Sequence, residues 1–227
     1  MKTILKKIDF KVLFITISLV VFEAIIFFFT KPFIQNPYVL GSSLDNNIPF
    51  VQHFIWIYIF WYFMLMAIPY YIAKKNRNTF YKYVITFIIT TLIAGIIFVA
   101  FPNCVIRADV QGTDIASKLV KVIYALDDPG INCLPSIHCL YSFLFIFSIM
   151  DTKDKSPVWM KIIITVLSIL VVLSTLFIKQ HVIYDAIAAF GIGSIIWIIV
   201  DKLKLYNLLN KKSNNIDNDN KNTTQAA

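Results

Sequence analysis

Long apolar runs separated by short polar connections restrict the folds open to this chain. A helix needs about 20 residues to cross the hydrocarbon core of a bilayer, and six runs approach that length. They cover residues 12–29, 50–73, 83–101, 136–150, 159–178 and 182–200, of which the fourth is the shortest. With 58% hydrophobic residues, the chain is too apolar for a soluble domain. We therefore predict an all-α integral membrane protein with six transmembrane helices.

Basic residues concentrate in alternate connections, which predicts the orientation of these helices. Lysine-rich clusters precede the first span, separate the second span from the third and the fourth from the fifth, and follow the sixth. A six-span arrangement places all four clusters on one side, which the positive-inside rule makes cytoplasmic. We expect both termini to be cytoplasmic. The net charge of +8 then reflects topology and contact with anionic lipids, and it does not indicate nucleic-acid binding.

The segments outside the spans divide into an external loop and a polar tail. In the loop between the third and fourth spans, an apolar face recurs at helical spacing, which predicts a short amphipathic helix at the membrane interface. Its residues are Ile115, Leu119, Val122 and Ile123. The tail at residues 211–227 is rich in Asn, Asp and Lys and should be disordered. The membrane domain is therefore expected to cover residues 1–210.

A hairpin in the last apolar region brings polar residues to the membrane rim. The run at residues 158–200 is long enough for two crossings, so it must fold back near its middle, where Lys179, Gln180 and His181 lie. His181 and Asp185 are four residues apart, on one face of the sixth helix. An aspartate in this position can accept the ring N–H, fix the tautomer and leave the other nitrogen basic. The same pair could also be a structural hydrogen bond.

A second polar stretch, "DDPGINCLPSIHCLYSF" at residues 127–143, leads into the fourth span. Pro135 and Ser136 can open that helix, with His138 in its first turn. The exposed N–H groups and the positive end of the helix dipole in such a turn bind anions, above all phosphate. Alone, this pattern is more typical of an ordinary serine cap beside a rim histidine.

The predicted topology places His138, His181 and Arg107 on the same side of the membrane. Two imidazoles, an aspartate, cations and a helix N-terminus on one rim suit phosphate chemistry. One histidine would attack phosphorus and the other would protonate the leaving oxygen, while cations and N–H groups bind the remaining oxygens. The sequence thus predicts a phosphate-handling site.

Several other residues have less defined roles. Glu23 lies within the first span; it could pair with a polar group of the bundle, which the sequence does not identify, or lie near a pocket. Tyr58 and Trp61 of the second span are expected in the interfacial aromatic belt and in packing. Cys104 and Cys133 belong to the same external loop and could form a disulfide, or they could be small apolar residues near the membrane.

The polar residues resemble the motifs of the type 2 phosphatidic acid phosphatase superfamily, membrane lipid phosphatases related to vanadium haloperoxidases. Residues 135–138, Pro-Ser-Ile-His, resemble its P-S-G-H motif. Ser174, His181 and Asp185 fit its S-R-x-x-x-x-x-H-x-x-x-D motif in register. The resemblance covers about residues 102–190.

This resemblance implies a role for each matching residue. His181 would be the nucleophile that forms a phosphohistidine, Asp185 would orient it, and His138 would protonate the leaving group. No metal or other cofactor is required in the family, and the substrate would be a lipid phosphate in the bilayer. The residues matching its phosphate-binding positions are Ser136, Ser174 and Arg107, the last in the family's K-x-x-x-x-x-x-R-P motif.

Departures from the motifs reduce the positive charge of the implied pocket. Thr175 stands where the family has arginine, and Ala100 stands where it has lysine. Lys179 could replace one of these cations by binding phosphate, or it could extend to lipid headgroups. A reduced set of cations is also found in the branch that resembles sphingomyelin and inositol phosphorylceramide synthases.

Three functions are therefore compatible with the sequence. The first is a metal-independent lipid phosphate phosphatase at the extracytoplasmic face of the plasma membrane, acting on a phosphate monoester or diphosphate. The second is a phospho-headgroup transferase, which uses the same chemistry with a lipid alcohol as acceptor. The third is a non-enzymatic transporter or scaffold whose rim histidines relay protons or bind a metal. No oligomeric state follows from the sequence.

Overall fold

The chain forms a helical bundle with short elements in its loops. The computed structural model describes residues 9–209, and the tail at 211–227, where disorder is predicted, lies outside them. Its short 3₁₀ turns are Lys31–Phe33, Gln52–Phe54 and Lys153–Lys155. Two strands, β1 (Tyr38–Leu40) and β2 (Asn103–Val105), pair in parallel. The helices are α1 (Phe10–Thr30), α2 (Ser43–Asn46), α3 (Ile55–Lys75), α4 (Arg77–Ala100), α5 (Ile115–Leu126), α6 (Ile137–Asp151), α7 (Val158–Phe177) and α8 (Ile183–Lys202).

Five helices within residues 9–209 are long and apolar enough to cross a membrane, namely α1, α3, α4, α7 and α8. The remaining predicted span, α6, has 15 residues and a length of about 22 Å, so the count of six spans stays a prediction. One boundary differs clearly from the sequence-based expectation. Helix α4 begins at Arg77 rather than near residue 83, because Asn76 caps it by accepting the Asn78 N–H.

The six long helices alternate in direction between two ends of the bundle. At one end, Arg77 at the start of α4 donates to Asp9, which precedes α1. At the same end, Lys82 of α4 pairs with Asp151 and Asp201, the last turns of α6 and α8. We call this the basic end, because it carries the basic residues around the α3–α4 and α6–α7 connections and at the end of α8, namely Lys74, Lys75, Arg77, Lys153, Lys155 and Lys202.

The other end, called the loop end, carries the longer connections, which pack against each other. The Val51 N–H donates to the Phe177 carbonyl at 2.9 Å, joining the loop before α3 to the end of α7. The Tyr124 hydroxyl of α5 donates to the Ile178 carbonyl at 2.5 Å. These bonds hold the connections α1–α3, α4–α6 and α7–α8 together over one end of the bundle.

Helix α5 lies in the loop where an amphipathic helix is predicted. Ala116 and Val120 are buried and pack in a cluster with Tyr58 of α3. Ile115 and Val122, by contrast, are exposed. Of the predicted apolar face, Leu119 and Ile123 pack against this cluster, whereas the two exposed residues do not. The position of α5 at the membrane interface stays a prediction.

Helix α6 occupies the centre of the bundle. It packs against α3, α4, α7 and α8, and most of its residues are buried. The rings of Phe87 and Tyr141 stack at a centroid distance of 4.0 Å, and the Tyr141 hydroxyl shares a 2.7 Å hydrogen bond with Thr91. Because four helices surround α6, the position of its first turn at the loop end is fixed.

Candidate active site

The turn between α7 and α8 positions the first of two histidines. His181 Nδ1 lies 3.0 Å from Asp185 Oδ2, and this oxygen also accepts the Val182 N–H at 3.1 Å. Asp185 is fully buried. Since an ionised carboxylate only accepts hydrogen bonds, this network assigns the ring proton to Nδ1. The other ring nitrogen, Nε2, is then unprotonated and can act as a nucleophile or base.

Backbone hydrogen bonds and one further carboxylate hold this turn in place. The Thr175 carbonyl accepts the N–H groups of Gln180 at 2.9 Å and of His181 at 3.2 Å. The Asp45 side chain accepts the Ile183 N–H at 2.8 Å, so the segment around α2 supports the start of α8. Thr175, at the position of the motif's arginine, shapes the turn without contributing charge.

The second histidine projects from the first turn of α6. Ser136 caps this helix, and its Oγ accepts the Cys139 N–H at 3.3 Å. The His138 ring packs against Trp61 and Tyr58, at centroid distances of 4.2 and 4.5 Å. Both ring nitrogens are buried, and neither has a hydrogen-bond partner within residues 9–209. Packing therefore fixes the ring while its polar atoms stay available.

The two histidines line one cavity of about 360 Å³. Their ring centroids are 5.9 Å apart. The Ser136 N–H donates to the Asp185 carbonyl at 3.3 Å, which ties the start of α6 to the start of α8. Two imidazoles from different helices can therefore reach one small group from different sides.

The remaining lining of the cavity combines aliphatic and aromatic side chains with amide and acidic groups. Gln180 Nε2 and Trp61 Nε1 are buried donors that have no partner in the described part of the chain, and both residues line the cavity. Glu23 and Asp127 are the acids of the lining, and no lysine or arginine of residues 9–209 belongs to it. The polar groups that a ligand meets in this cavity are the histidines, neutral hydrogen-bonding groups and two acids.

Arg107 lies behind Asp127 rather than at the cavity surface. Its Nη2 donates to Asp127 Oδ2, and its guanidinium stacks on the Tyr124 ring at 4.6 Å. Burial raises the pKa of the Tyr124 hydroxyl, which stays neutral beside the cation. The backbone at Gly130 passes so close that a Cβ there would lie 2.9 Å from Arg107 Nε. Arg107 therefore acts on the cavity through Asp127.

Neither serine of the two motifs reaches the cavity lining. Ser174 is fully buried, and its hydroxyl donates to the Val171 carbonyl at 2.7 Å. The Ser136 hydroxyl serves as the cap of α6. Both side chains thus satisfy helix backbone groups, which differs from the phosphate-binding role that the motifs imply.

The structure does not bring Lys179 to the histidines either. Its Nζ donates to the carbonyls of Asp45 at 2.8 Å and Ile48 at 2.6 Å, and the residue is absent from the cavity lining. The lysine side chain connects the α7–α8 turn to the α2 segment. Two of its three N–H groups are donated to these carbonyls, and because the residue lies outside the cavity lining it does not replace the missing cations in this arrangement.

Several residues of the site were not assigned from the sequence. Tyr58 and Trp61, expected in an interfacial belt and in packing, are buried against His138; their i, i+3 spacing on α3 was the available signal. Glu23 lines the cavity. The pattern Ser42-x-x-Asp45 indicates a helix start, but nothing in the sequence indicates that Asp45 contacts Ile183.

The three cysteines are free thiols. Cys133 Sγ donates to the Gly130 carbonyl at 3.1 Å, and burial raises the pKa of this thiol well above its usual range. The possible disulfide between Cys104 and Cys133 is therefore not formed. Within residues 9–209, no group of three or more His, Cys, Asp or Glu side chains is arranged to hold a metal ion.

A comparison of the sequence with models of known protein families identifies the family of this chain. A sequence model of the PAP2 superfamily matches residues 18–199, which is most of the 227-residue chain. The match includes both histidines and confirms the family that the motifs indicate. It also extends beyond residues 102–190 into α1. Searches of curated proteins and of solved structures gave no match.

Proposed function

Since the chain belongs to the PAP2 superfamily, we propose that it hydrolyses a phosphate ester of a membrane lipid, without a metal ion, through a phosphohistidine. The observation that carries the proposal is the placement of His138 and His181 in one cavity with ring centroids 5.9 Å apart. Asp185 orients one ring, and the nitrogens of the other are unpaired within the described residues. This difference between the two rings suits His181 as the nucleophile and His138 as the general acid.

In the first step, His181 Nε2 attacks phosphorus, and the bond from phosphorus to the lipid oxygen breaks. The Nδ1 proton remains between His181 and Asp185, which stabilises the positive charge on the ring. His138 protonates the departing lipid oxygen, because the negative charge of bound phosphate favours its imidazolium form. The products of this step are a phosphohistidine and the protonated lipid product.

In the second step, water attacks the phosphohistidine. His138, now neutral, takes a proton from the water, and the bond between phosphorus and His181 Nε2 breaks. Inorganic phosphate leaves and both histidines return to their starting protonation states. The substrate would be a phosphate monoester or a diphosphate of a membrane lipid.

Neutral groups would hold the phosphate oxygens. Ile137 and His138 line the cavity at the start of α6, where first-turn N–H groups have no acceptor within the helix and the dipole attracts anions. Gln180 Nε2 and Trp61 Nε1 add two buried donors. Such fixed donors stabilise charge that develops in the transition state.

We place the site at the extracytoplasmic face of the plasma membrane, in a six-span protein with cytoplasmic termini. The cavity belongs to the loop end, whereas the lysine-rich connections belong to the basic end, and such connections stay on the cytoplasmic side. Phe28 of α1 and Tyr62 of α3 line the cavity and are also exposed on the bundle surface. Lipid tails would therefore enter between α1 and α3.

A phospho-headgroup transferase of the sphingomyelin or inositol phosphorylceramide synthase type is the second candidate. It would form the same phosphohistidine but pass the group to a lipid alcohol. The observation in its favour is the cavity lining, which lacks lysine and arginine within residues 9–209. Ala100 and Thr175 occupy the motif's cation positions. A phosphodiester with one negative charge needs less compensation there than a monoester with two.

The proposal is tested by supplying the purified chain in neutral lipid vesicles with labelled lipid phosphates and a chelator. Release of inorganic phosphate that disappears in His181→Ala supports the phosphatase. Transfer of label to diacylglycerol or ceramide supports the transferase. Turnover that requires an added divalent metal ion would contradict the mechanism. No turnover of any donor, with wild type and His181→Ala alike, would favour a non-enzymatic transporter or scaffold.

A further inference from the structure

One buried acceptor of the cavity has no use in the binding of phosphate. Asn132 lines the cavity and is 2% exposed, and its Oδ1 atom has no hydrogen-bond partner within residues 9–209. A phosphate dianion carries no hydrogen, so it cannot donate to an amide oxygen. Because a buried acceptor without a partner is costly, this oxygen indicates a ligand that donates a hydrogen bond.

The orientation of the Asn132 amide is determined by its neighbours on α1. Its Nδ2 donates to the Phe27 carbonyl at 3.1 Å and to Thr30 Oγ1 at 3.0 Å. The carbonyl can only accept, and the Thr30 hydroxyl already donates its hydrogen within α1. Both contacts therefore need the amide nitrogen, and Oδ1 is the atom left for the cavity.

The backbone around Asn132 is held by a second asparagine. Oδ1 of Asn103 accepts the N–H groups of Cys133 at 3.0 Å and of Leu134 at 2.9 Å, the two residues that follow Asn132. Asn132 itself has a φ of 62°, in the left-handed region that asparagine adopts more readily than most residues. An acceptor fixed in this way can orient a small reactant.

An amide oxygen suits a position beside phosphate better than the acids of the lining do. Asp127 already pairs with Arg107, and its Oδ1 lies 3.5 Å from Lys31 Nζ. A carboxylate such as that of Glu23 would repel a phosphoryl group when ionised. Asn132 instead offers a neutral oxygen, which can approach the phosphoryl group without this repulsion.

The water that attacks in the second step has two hydrogens, and only one of them goes to His138. The other needs an acceptor within the cavity, because buried polar groups are normally paired. A cavity of about 360 Å³ has room for a phosphate and for water, of which each molecule takes about 30 Å³. An alcohol has a single hydroxyl hydrogen, which His138 takes, so it has none left for Asn132.

We propose that Asn132 Oδ1 binds the attacking water, so that Asn132 is a catalytic residue of hydrolysis and favours water over alcohols as the acceptor of the phosphoryl group. The inference rests on the phosphohistidine mechanism proposed above and adds a residue to its second step. The water oxygen bonds to phosphorus, one proton goes to His138, and the bond from phosphorus to His181 Nε2 breaks. The other hydrogen stays on the new phosphate oxygen and donates to Asn132.

The test measures how the phosphohistidine divides between water and an added alcohol. The purified full-length chain receives phosphatidic acid, or an isoprenyl diphosphate, labelled at the terminal phosphorus, together with methanol at a fixed concentration. Labelled phosphate and methyl phosphate are then counted. We expect Asn132→Gly, which suits the left-handed backbone, to lower the ratio of phosphate to methyl phosphate by about tenfold, the equivalent of one hydrogen bond. Rapid quench should show the adduct on His181 forming at the wild-type rate.

Matched variants separate the amide oxygen from the contacts that hold the amide. Thr30→Val removes one acceptor of Nδ2 and leaves Oδ1 in place, so it should keep the wild-type ratio. Asn132→Asp retains an acceptor oxygen and should also keep the ratio, although losing the Nδ2 bonds should lower its unfolding temperature. Asn132→Ala is the second variant without the amide, and it should shift the ratio as Asn132→Gly does.

Three results would overturn this role of Asn132 while leaving the phosphohistidine intact. The first is an unchanged ratio in Asn132→Gly or Asn132→Ala. The second is an equal slowing of adduct formation and breakdown, which would show that the residue only supports the fold. The third is a wild type that forms the adduct but releases no phosphate. If no donor gives an adduct in the wild type, the proposed function itself fails, and the role of Asn132 with it.

Discussion

At the basic end of the bundle, the buried Lys82 ammonium lies 2.7 Å from Asp201 Oδ1, 3.8 Å from Asp151 Oδ2 and 4.2 Å from the centre of the Trp197 ring. At the loop end, both nitrogens of His138 and the Asp185 Oδ1 atom are buried without a hydrogen-bond partner in the described residues. The buried cation of the first region is paired, whereas these buried polar atoms of the second region are not.

The difference separates stabilising polar groups from functional ones. Paired groups recover much of the cost of burial, whereas unpaired ones cost free energy that a protein seldom tolerates without a ligand or a catalytic role. Lys82 joins α4 to the ends of α6 and α8, which suits a structural role. His138 lines a cavity, and Asp185 contacts the ring of His181 in the same lining, which suits a ligand. Substitutions at the basic end should therefore lower the stability of the protein, and substitutions at the loop end should lower its activity.

The largest effect is expected from removing the nucleophile. His181→Ala should lower kcat for lipid phosphate turnover by up to ~10⁶-fold, because the phosphohistidine cannot form. The matched control is His53, the remaining histidine of the chain, which is exposed and outside the cavity lining. His53→Ala should turn over at the wild-type rate. Similar losses of kcat in the two variants would contradict the role of His181 as the nucleophile.

Asp185→Asn should give the next largest effect. The ring of His181 would lose the negative charge that stabilises it when Nε2 bonds to phosphorus, so kcat should fall roughly 10⁴-fold. The carboxamide oxygen can still accept the Val182 N–H, so the unfolding temperature should change little. Thermal unfolding and turnover of the same preparation check both parts. A large drop in unfolding temperature with near-normal kcat would show that Asp185 has a structural role and not a catalytic one.

His138→Ala should lower kcat by about 10²–10⁴-fold, the usual contribution of a general acid. The loss depends on the leaving group. A p-nitrophenyl phosphodiester releases a stable phenolate that needs no proton, so the defect of His138→Ala should shrink with it while that of His181→Ala persists. If both variants lose activity equally on both substrates, the two histidines do not have the separate roles proposed.

Lys82→Met should affect stability rather than chemistry. The substitution removes the ammonium between two acids that are themselves partly exposed, so unfolding should become easier by about 1–2 kcal/mol. Thermal unfolding measures the loss, and activity well below the unfolding temperature should equal that of the wild type. A fall in kcat under those conditions would show that the basic end is coupled to the cavity.

Lys179→Ala should have the smallest effect of the series. Losing its bonds to the Asp45 and Ile48 carbonyls loosens the turn that carries His181, so kcat should fall about fivefold with little change in KM. Lys179→Arg should restore most of the rate. A rise in KM for the lipid phosphate, without a change in kcat, would instead show that the lysine binds phosphate.

The helices and the surroundings of the candidate site differ in how much of them could be predicted from the sequence. The long helices follow from the length and apolarity of their runs, which are local properties. His138 and His181 could be assigned to one side because helices joined by short connections alternate in direction. Both histidines do line one cavity, and their catalytic roles stay proposals.

Contacts between distant segments could not be predicted in this way. Lys179 reaches Asp45 across 134 positions of sequence, and the pairing depends on the conformation of two loops. Glu23 faces the cavity because of how α1 is rotated against its neighbours, and an apolar helix with one acid does not encode that rotation. The sequence therefore indicated the reactive groups better than it indicated the charges around them.

The most direct test of the central claim is a rapid-quench experiment with a donor labelled at phosphorus. The account predicts an acid-labile, base-stable phosphoryl adduct on His181, found by mass spectrometry within one turnover and absent from His181→Ala. The adduct should form more slowly in His138→Ala but on the same residue. Steady turnover with the label on His138, or with no protein adduct at any time, would contradict the account.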